Sequence, residues 1–295
     1  MIKGKNSGPF SGAGQEKMTR RLRISAISYL NTAPLMWDFE HGKAEAPFDI
    51  SYTVPSHCAA KLADGAADIG IIPAAAYPSI PGLVILPDVA IAARRAVRSI
   101  LLVSKVPVDQ IRTIALDTSS LTSAALIKVI FSKWLGGGRT FTPMVPDLKT
   151  MLAEHDAALV IGDRALAVER DQYFTLDLAE EWIRFTGKPF VFAFWAVREA
   201  PLASARTLNL TSIFQQSRDH GLQPENIDAI ARTWRRRLPM SESDIKAYLL
   251  DNIDYYLDTE TLDGLLLFYR YGVECRVLPS SPPLRFHELP RPLAL

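Results

Sequence analysis

Ser28-Tyr29-Leu30-Asn31-Thr32-Ala33-Pro34 follows an apolar run over residues 22–27 and leads into an apolar segment that opens with Pro34. Polar side chains at a strand-to-helix junction sit where backbone N–H groups are free and the helix dipole favours an anion. Asn31 and Thr32 are equally good helix caps, and a proline just behind them suits a first helical turn. Thr118-Ser119-Ser120-Leu121-Thr122-Ser123 repeats the arrangement with five hydroxyls after residues 114–116. Hydroxyls and N–H groups gathered in this way suit a carboxylate, each charge-assisted bond contributing roughly 1.5–3 kcal/mol. A Ser/Thr-rich cap that only satisfies orphan N–H groups is the alternative. Two further candidates complete the set. Ser99, after Arg98, either faces a cleft or bonds to backbone. Gly162-Asp163 closes the apolar run 157–161, and Asp163 reads as a helix cap, a partner for Arg164 or a cleft residue.

Strand and helix patterns alternate around these turns. Residues 22–27, 48–54, 68–73, 83–86 and 97–104 read as strands, with short helices at 34–39 and 56–63. Residues 114–116, 140–144 and 157–161 read as strands around helices at 124–134 and 147–153. The run 190–197 is almost unbroken apolar sequence, a strand buried on both faces. Such alternation predicts α/β architecture with mostly parallel sheets. The order suggests a first lobe from 21–105 and 194–277, a second lobe from 106–193, and a cleft between them that closes on a small molecule. Ligands in such sheets sit beyond the carboxyl ends of strands, where residues 28–32, 118–123 and 162–163 fall. Residues 202–220, 224–238, 241 onward and 259–271 read as C-terminal helices. Residues 1–20 read as a disordered extension, translation starting at Met1 or Met18. Residues 278–295, with five prolines, read as an irregular or disordered tail.

Composition narrows the function. The chain has 295 residues, 48% of them apolar and a net charge of +1, so neither nucleic acid nor an anionic membrane is expected as partner. No apolar stretch is long enough to span a bilayer or to form a secretory h-region, and the protein is expected in the cytoplasm. Cys58 and Cys275 fit no metal spacing and read as free thiols. The five histidines show no HExxH or similar spacing, so no metal is expected. There is no GxSxG elbow, no GxGxxG after a strand and no Walker loop. The basic run Arg235-Arg236-Arg237 ends a helix and complements its dipole.

Taken in order, six blocks resemble the chorismate dehydratase family, which opens the futalosine route to menaquinone. They are Ser28-Tyr29-Leu30-Asn31-Thr32-x-Pro34, Asp68-Ile69-x-Ile71-Ile72-Pro73, Arg98-Ser99, Leu116-Asp117-Thr118-Ser119-Ser120-x-Thr122-Ser123, Ala157-Ala158-Leu159-Val160-Ile161-Gly162-Asp163, and Thr186-Gly187-x-Pro189-Phe190-Val191-Phe192-Ala193-x-Trp195-Ala196. The resemblance implies a two-lobed fold of the periplasmic-binding-protein type II kind, with C-terminal helices and an inter-lobe cleft. It implies chorismate as substrate and 3-[(1-carboxyvinyl)oxy]benzoate and water as products, with no cofactor; the sequence leaves monomer or homodimer open. By the same resemblance Asn31 and Ser99 lie closest to the chemistry. Thr118, Ser119, Ser120, Thr122 and Ser123 form a carboxylate-binding loop, with Ser28, Tyr29, Thr32, Gly162 and Asp163 around them. Many relatives carry an arginine where this chain has Leu121; either its loss weakens carboxylate binding or that arginine points to solvent. The sister dihydroxynaphthoate synthase typically opens Ser-Pro-Cys-Pro-Asn, which this chain lacks. A solute-binding protein for a small carboxylate is the alternative from another class, and a regulator's ligand-sensing domain a third, since fold does not fix function.

Overall fold

The computed structural model describes residues 21–42, 47–202 and 208–287. Residues 1–20 and 288–295 lie outside this set, and with them the expected N-terminal extension and the last part of the tail. Among the described residues ten strands form two five-stranded sheets. The strands are β1 (Leu22–Ile27), β2 (Phe48–Thr53), β3 (Ile69–Pro73), β4 (Leu83–Ala93), β5 (Ile100–Ser104), β6 (Thr113–Asp117), β7 (Thr140–Met144), β8 (Ala157–Ile161), β9 (Phe174–Asp177) and β10 (Phe190–Arg198). The first sheet has the order β2-β1-β3-β10-β4 and the second β7-β6-β8-β5-β9.

Both sheets are mixed rather than mostly parallel. β1 pairs in parallel with β2 and β3, and β6 with β7 and β8. β10 runs antiparallel to β3 and β4, and β5 antiparallel to β8 and β9. The cause is the double crossover. β5 and β10 are the first strands laid down after the chain changes sheets, and each enters its new sheet reversed. The sheets also divide the chain differently from the expected 105/106 and 193/194 boundaries. β5, expected in the first lobe, belongs to the second sheet, and all of β10 belongs to the first.

β10 is the spine of the first lobe. Its first eight residues are buried, and Phe194 and Trp195 are fully enclosed. Each such large apolar side chain contributes roughly 1.5–3 kcal/mol on burial. Phe190 meets Phe268 edge-on at 5.0 Å, and Tyr269 donates to the Ala74 carbonyl at 2.8 Å, which docks the C-terminal helix Thr259–Glu274 on this sheet. A helix that the sequence reading passed over, Leu178–Thr186, follows β9. Its signals were present: Asp177 caps it by accepting the Ala179 and Glu180 N–H groups, and Gly187 ends it at φ +67°.

Residues 278–287 form little regular structure, as expected of a proline-rich segment, yet they are held in place. Leu278 is buried against Gly272. Phe286 bridges Ile85 of β4, whose N–H donates to Arg285 and whose carbonyl accepts from His287.

Candidate functional site

The turns after β1, β6 and β8 meet in one narrow cleft, whose free volume of about 50 Å³ means that the lobes must part to admit a small molecule. Tyr29, Asn31 and Thr32 come from the first turn; Ser120, Thr122 and Ser123 from the second; Gly162 from the third. Ser99 enters from the crossover between β4 and β5, and Phe192 and Ala193 of β10 form the floor. A wider surface groove beside Lys188 and Arg270, on the helix Thr259–Glu274, shares no residue with these turns.

The first turn tightens at once into a 3-10 helix, Leu30–Met36, with Pro34 inside it. Asn31 is half-buried, and its Oδ1 accepts the Thr32 hydroxyl at 3.3 Å. Ser28 is exposed, its N–H bonded to Thr53, and it does not reach the cleft.

The second turn divides its five hydroxyls between the two jobs the sequence left open. Ser120 caps the helix Leu121–Ile130 by accepting the Ser123 N–H, and both residues line the cleft. Thr122 is a pin: its hydroxyl donates to the Phe192 carbonyl at 3.0 Å and accepts the Ala75 N–H at 3.1 Å. Ser119 turns away, giving its N–H and hydroxyl to Asp117 Oδ1 at 2.8 and 2.5 Å. Thr118 is exposed, with its N–H on Met144. Leu121 is 41% exposed and lines a separate groove with Ala60 and Ala124, so an arginine at this position would also start outside the cleft.

At the third turn Gly162 has φ +61°, and a Cβ built on it would lie 2.8 Å from the Tyr29 ring. Only glycine permits both the conformation and the approach. The Asp163 carboxylate does not line the cleft. It accepts the Leu30 N–H at 3.0 Å, tying the third turn to the first. Burial pushes this carboxyl up to about 6, partly opposed by that N–H. Tyr29 Oη lies 3.5 Å from Ser119 Oγ, and the Ser56 N–H donates to the Ser119 carbonyl. With the Thr122 pin, these bonds draw the two lobes together.

Ser99 is fully buried and sits after Arg98, which has φ +62° without being glycine. The Asp177 carboxylate holds that conformation by accepting the Val97 and Arg98 N–H groups at 3.1 and 2.6 Å. Tyr248 donates its hydroxyl to Ser99 Oγ at 2.9 Å. Neither Asp177 nor Tyr248 was singled out in the sequence. Asp177 carries an N-cap signature, whereas Tyr248 lies 149 residues from Ser99 with no local motif.

No charged side chain lines the cleft among the described residues. Its polarity comes from hydroxyls, the Asn31 amide and the N-terminal end of the helix Leu121–Ile130, a neutral donor set suited to an anion. Among the described residues no group of three or more His, Cys, Asp or Glu side chains could hold a metal ion. No helix among them is long and apolar enough to cross a membrane.

Two α/β lobes joined by two crossovers around such a cleft define a binding-protein fold, and solved structures agree. A protein from Archaeoglobus fulgidus superposes with a TM-score of 0.67 at 14% identity, covering 88% of this chain and 99% of its own. The aliphatic sulphonate binding protein SsuA of Escherichia coli gives 0.58 at 15% identity, covering 89% and 94%. A Candida albicans protein described as having the generic periplasmic binding protein fold gives 0.60 at 13%, covering 89% and 92%. The chain belongs to the menaquinone biosynthesis family, whose model it matches over residues 22–274. It is 29% identical over 273 residues to the chorismate dehydratase of Thermus thermophilus, covering 86% of this chain and 94% of that protein.

Proposed function

We propose that this protein is a chorismate dehydratase, a hydro-lyase that needs no cofactor and works in the cytoplasm. The observation that carries the reading is the convergence of Asn31, Ser99 and the Ser120–Ser123 helix start in one narrow, uncharged cleft of a menaquinone-family chain. Its similarity to the Thermus thermophilus enzyme supplies the substrate.

Chorismate carries two carboxylates, an enol ether at C3 and a hydroxyl at C4 on a cyclohexadiene. Loss of the C3 hydrogen and the C4 hydroxyl forms one new C=C bond and an aromatic ring. The products are 3-[(1-carboxyvinyl)oxy]benzoate and water, and no electron leaves the substrate. The driving force lies in the substrate, so the protein must fix one conformer and stabilise developing charge. The C3–H bond is conjugated through the ring to the C1 carboxylate, which spreads the charge as the proton leaves. The Ser120–Ser123 helix start holds a carboxylate on N–H and hydroxyl donors. Asn31 and Ser99 face the C3–C4 edge, where they orient the departing hydroxyl and the enolpyruvyl group. With no Asp, Glu, His or Lys lining the cleft among the described residues, the enolpyruvyl carboxylate itself takes the C3 proton and passes it to the departing C4 hydroxyl, which leaves as water. Closure keeps chorismate from the geometries that rearrange it or expel pyruvate.

The test is to incubate the purified protein with chorismate and follow products by mass spectrometry and aromatic absorbance. A product lighter by one water supports the reading. Tight binding without turnover overturns it in favour of a carrier of small carboxylates.

A further inference from the structure

We propose that Tyr248 is a positioning residue for this reaction, directing the Ser99 hydroxyl hydrogen into the cleft. The inference rests on the reading of Ser99 given above and adds a group from outside every motif that carries it.

Tyr248 begins a π-helical turn, Tyr248–Asn252, in the C-terminal helical region. Such turns interrupt the regular ladder and often serve to place a side chain. Here two side chains of the turn reach the crossover that carries Ser99. The Asn252 amide donates to the Ala96 carbonyl at 2.8 Å, and the Tyr248 hydroxyl donates to Ser99 Oγ at 2.9 Å. From the opposite side Asp177 holds the Val97 and Arg98 N–H groups. Four hydrogen bonds from two directions therefore fix residues 96–99, including the left-handed Arg98, a conformation that persists only where its surroundings impose it.

The direction of the Tyr248–Ser99 bond matters for the chemistry. A phenol is a stronger acid than an aliphatic alcohol, so the tyrosine donates and the serine accepts. Ser99 Oγ then has its own hydrogen to place elsewhere. Among the described residues Tyr248 is the hydrogen-bond partner of this hydroxyl, and Ser99 borders the cleft. The remaining donor direction is the cleft, where the substrate's departing oxygen or carboxylate accepts it. Accepting from the phenol polarises the serine O–H and makes it a better donor. Both side chains are almost fully buried, so water does not compete for either group.

The test combines Tyr248→Phe, Ser99→Ala and the double variant, with kcat, KM for chorismate and Tm measured for each. Tyr248→Phe keeps the ring and removes only the hydroxyl. The expected result is a loss of about tenfold in kcat with KM unchanged and Tm lowered by only a few degrees, the scale of one buried hydrogen bond. In the Ser99→Ala background the same change should cost nothing further, because the relay is already broken. Unchanged kcat in Tyr248→Phe overturns the proposal. So does an equal further loss in the Ser99→Ala background, or activity that returns to the parent value when it is measured well below the variant's lowered Tm. Full activity in Ser99→Ala alone would instead overturn the reading of Ser99 and leave Tyr248 with no partner to position.

Discussion

The Asp163 carboxylate and the Leu30 backbone N–H, 133 residues apart, meet at 3.0 Å and tie the turn after β8 to the turn after β1. Burial raises this carboxyl to about 6, against an ordinary aspartate near 3.9. Between those values the folded chain keeps the proton and the unfolded chain has lost it. Unfolding free energy therefore falls as pH rises from about 4 to about 6 on account of this residue. Asp163→Asn retains an acceptor for Leu30 and removes the buried charge. Urea unfolding should show the variant as stable as the parent near pH 4 and more stable by about 1–3 kcal/mol at pH 7.5.

Gly162→Ala tests the contact with Tyr29. The new methyl group meets the ring at 2.8 Å in a backbone conformation that costs an L-residue about 1–3 kcal/mol. The turn must shift, and Tyr29 and Asp163 shift with it. Steady-state kinetics should show kcat/KM down by at least about tenfold. An unchanged value would mean that the third turn has no part in closing the cleft.

Asn31 contributes the one amide side chain that borders the cleft. Asn31→Ala removes a donor and should lower kcat by about 10²–10³, the usual scale for a lost charge-stabilising group. Asn31→Asp keeps the shape but places a negative charge against a dianionic substrate, so KM should rise as well. Wild-type kcat/KM in both variants would remove Asn31 from the mechanism.

Thr122 is expected to matter for stability as much as for binding. Thr122→Val orphans the Ala75 N–H and removes a donor to Phe192, two buried bonds worth about 2–4 kcal/mol together. Thr122→Ser should keep both. Thermal unfolding of the two variants separates the hydroxyl from the methyl group.

Leu121→Arg introduces the residue that the family resemblance leads one to expect at this position. Because the side chain starts in the outer groove and is substantially exposed, an added charge there is worth less than about 1 kcal/mol. KM for chorismate should change by less than about fivefold. A larger gain would mean that the arginine folds back into the cleft.

Most of the strands and the three polar turns were legible because each lies within one short segment whose pattern states its role; β9 and the second half of β4 were missed. The Ser120 cap, the central apolar strand β10 and the stop at Gly187 are local facts of this kind. The division of the Ser/Thr loop was not legible, because it depends on what each hydroxyl meets. Ser119 meets Asp117, Thr122 meets Phe192 and Ala75, and Thr118 meets solvent. Ser28 shows the limit of a linear motif, for it stands beside Tyr29 and faces outward. The sheet membership of β5 was hidden for a related reason. Its sequence says that it is a buried strand, and only pairing with β8 and β9 says where. Tyr248 could not be found at all from the chain alone, since nothing near it points to Ser99.

The bridge between Phe286 and Ile85 bears on how these molecules behave in a crowd. β4 ends the first sheet, and an unpaired outer strand offers its free N–H and C=O groups as a template for another chain. Arg285 and His287 occupy those groups at Ile85. Shortening the protein at Val277 would leave the cleft residues in place and bare this stretch of strand, so that the shortened protein should be more inclined to stick to its own copies.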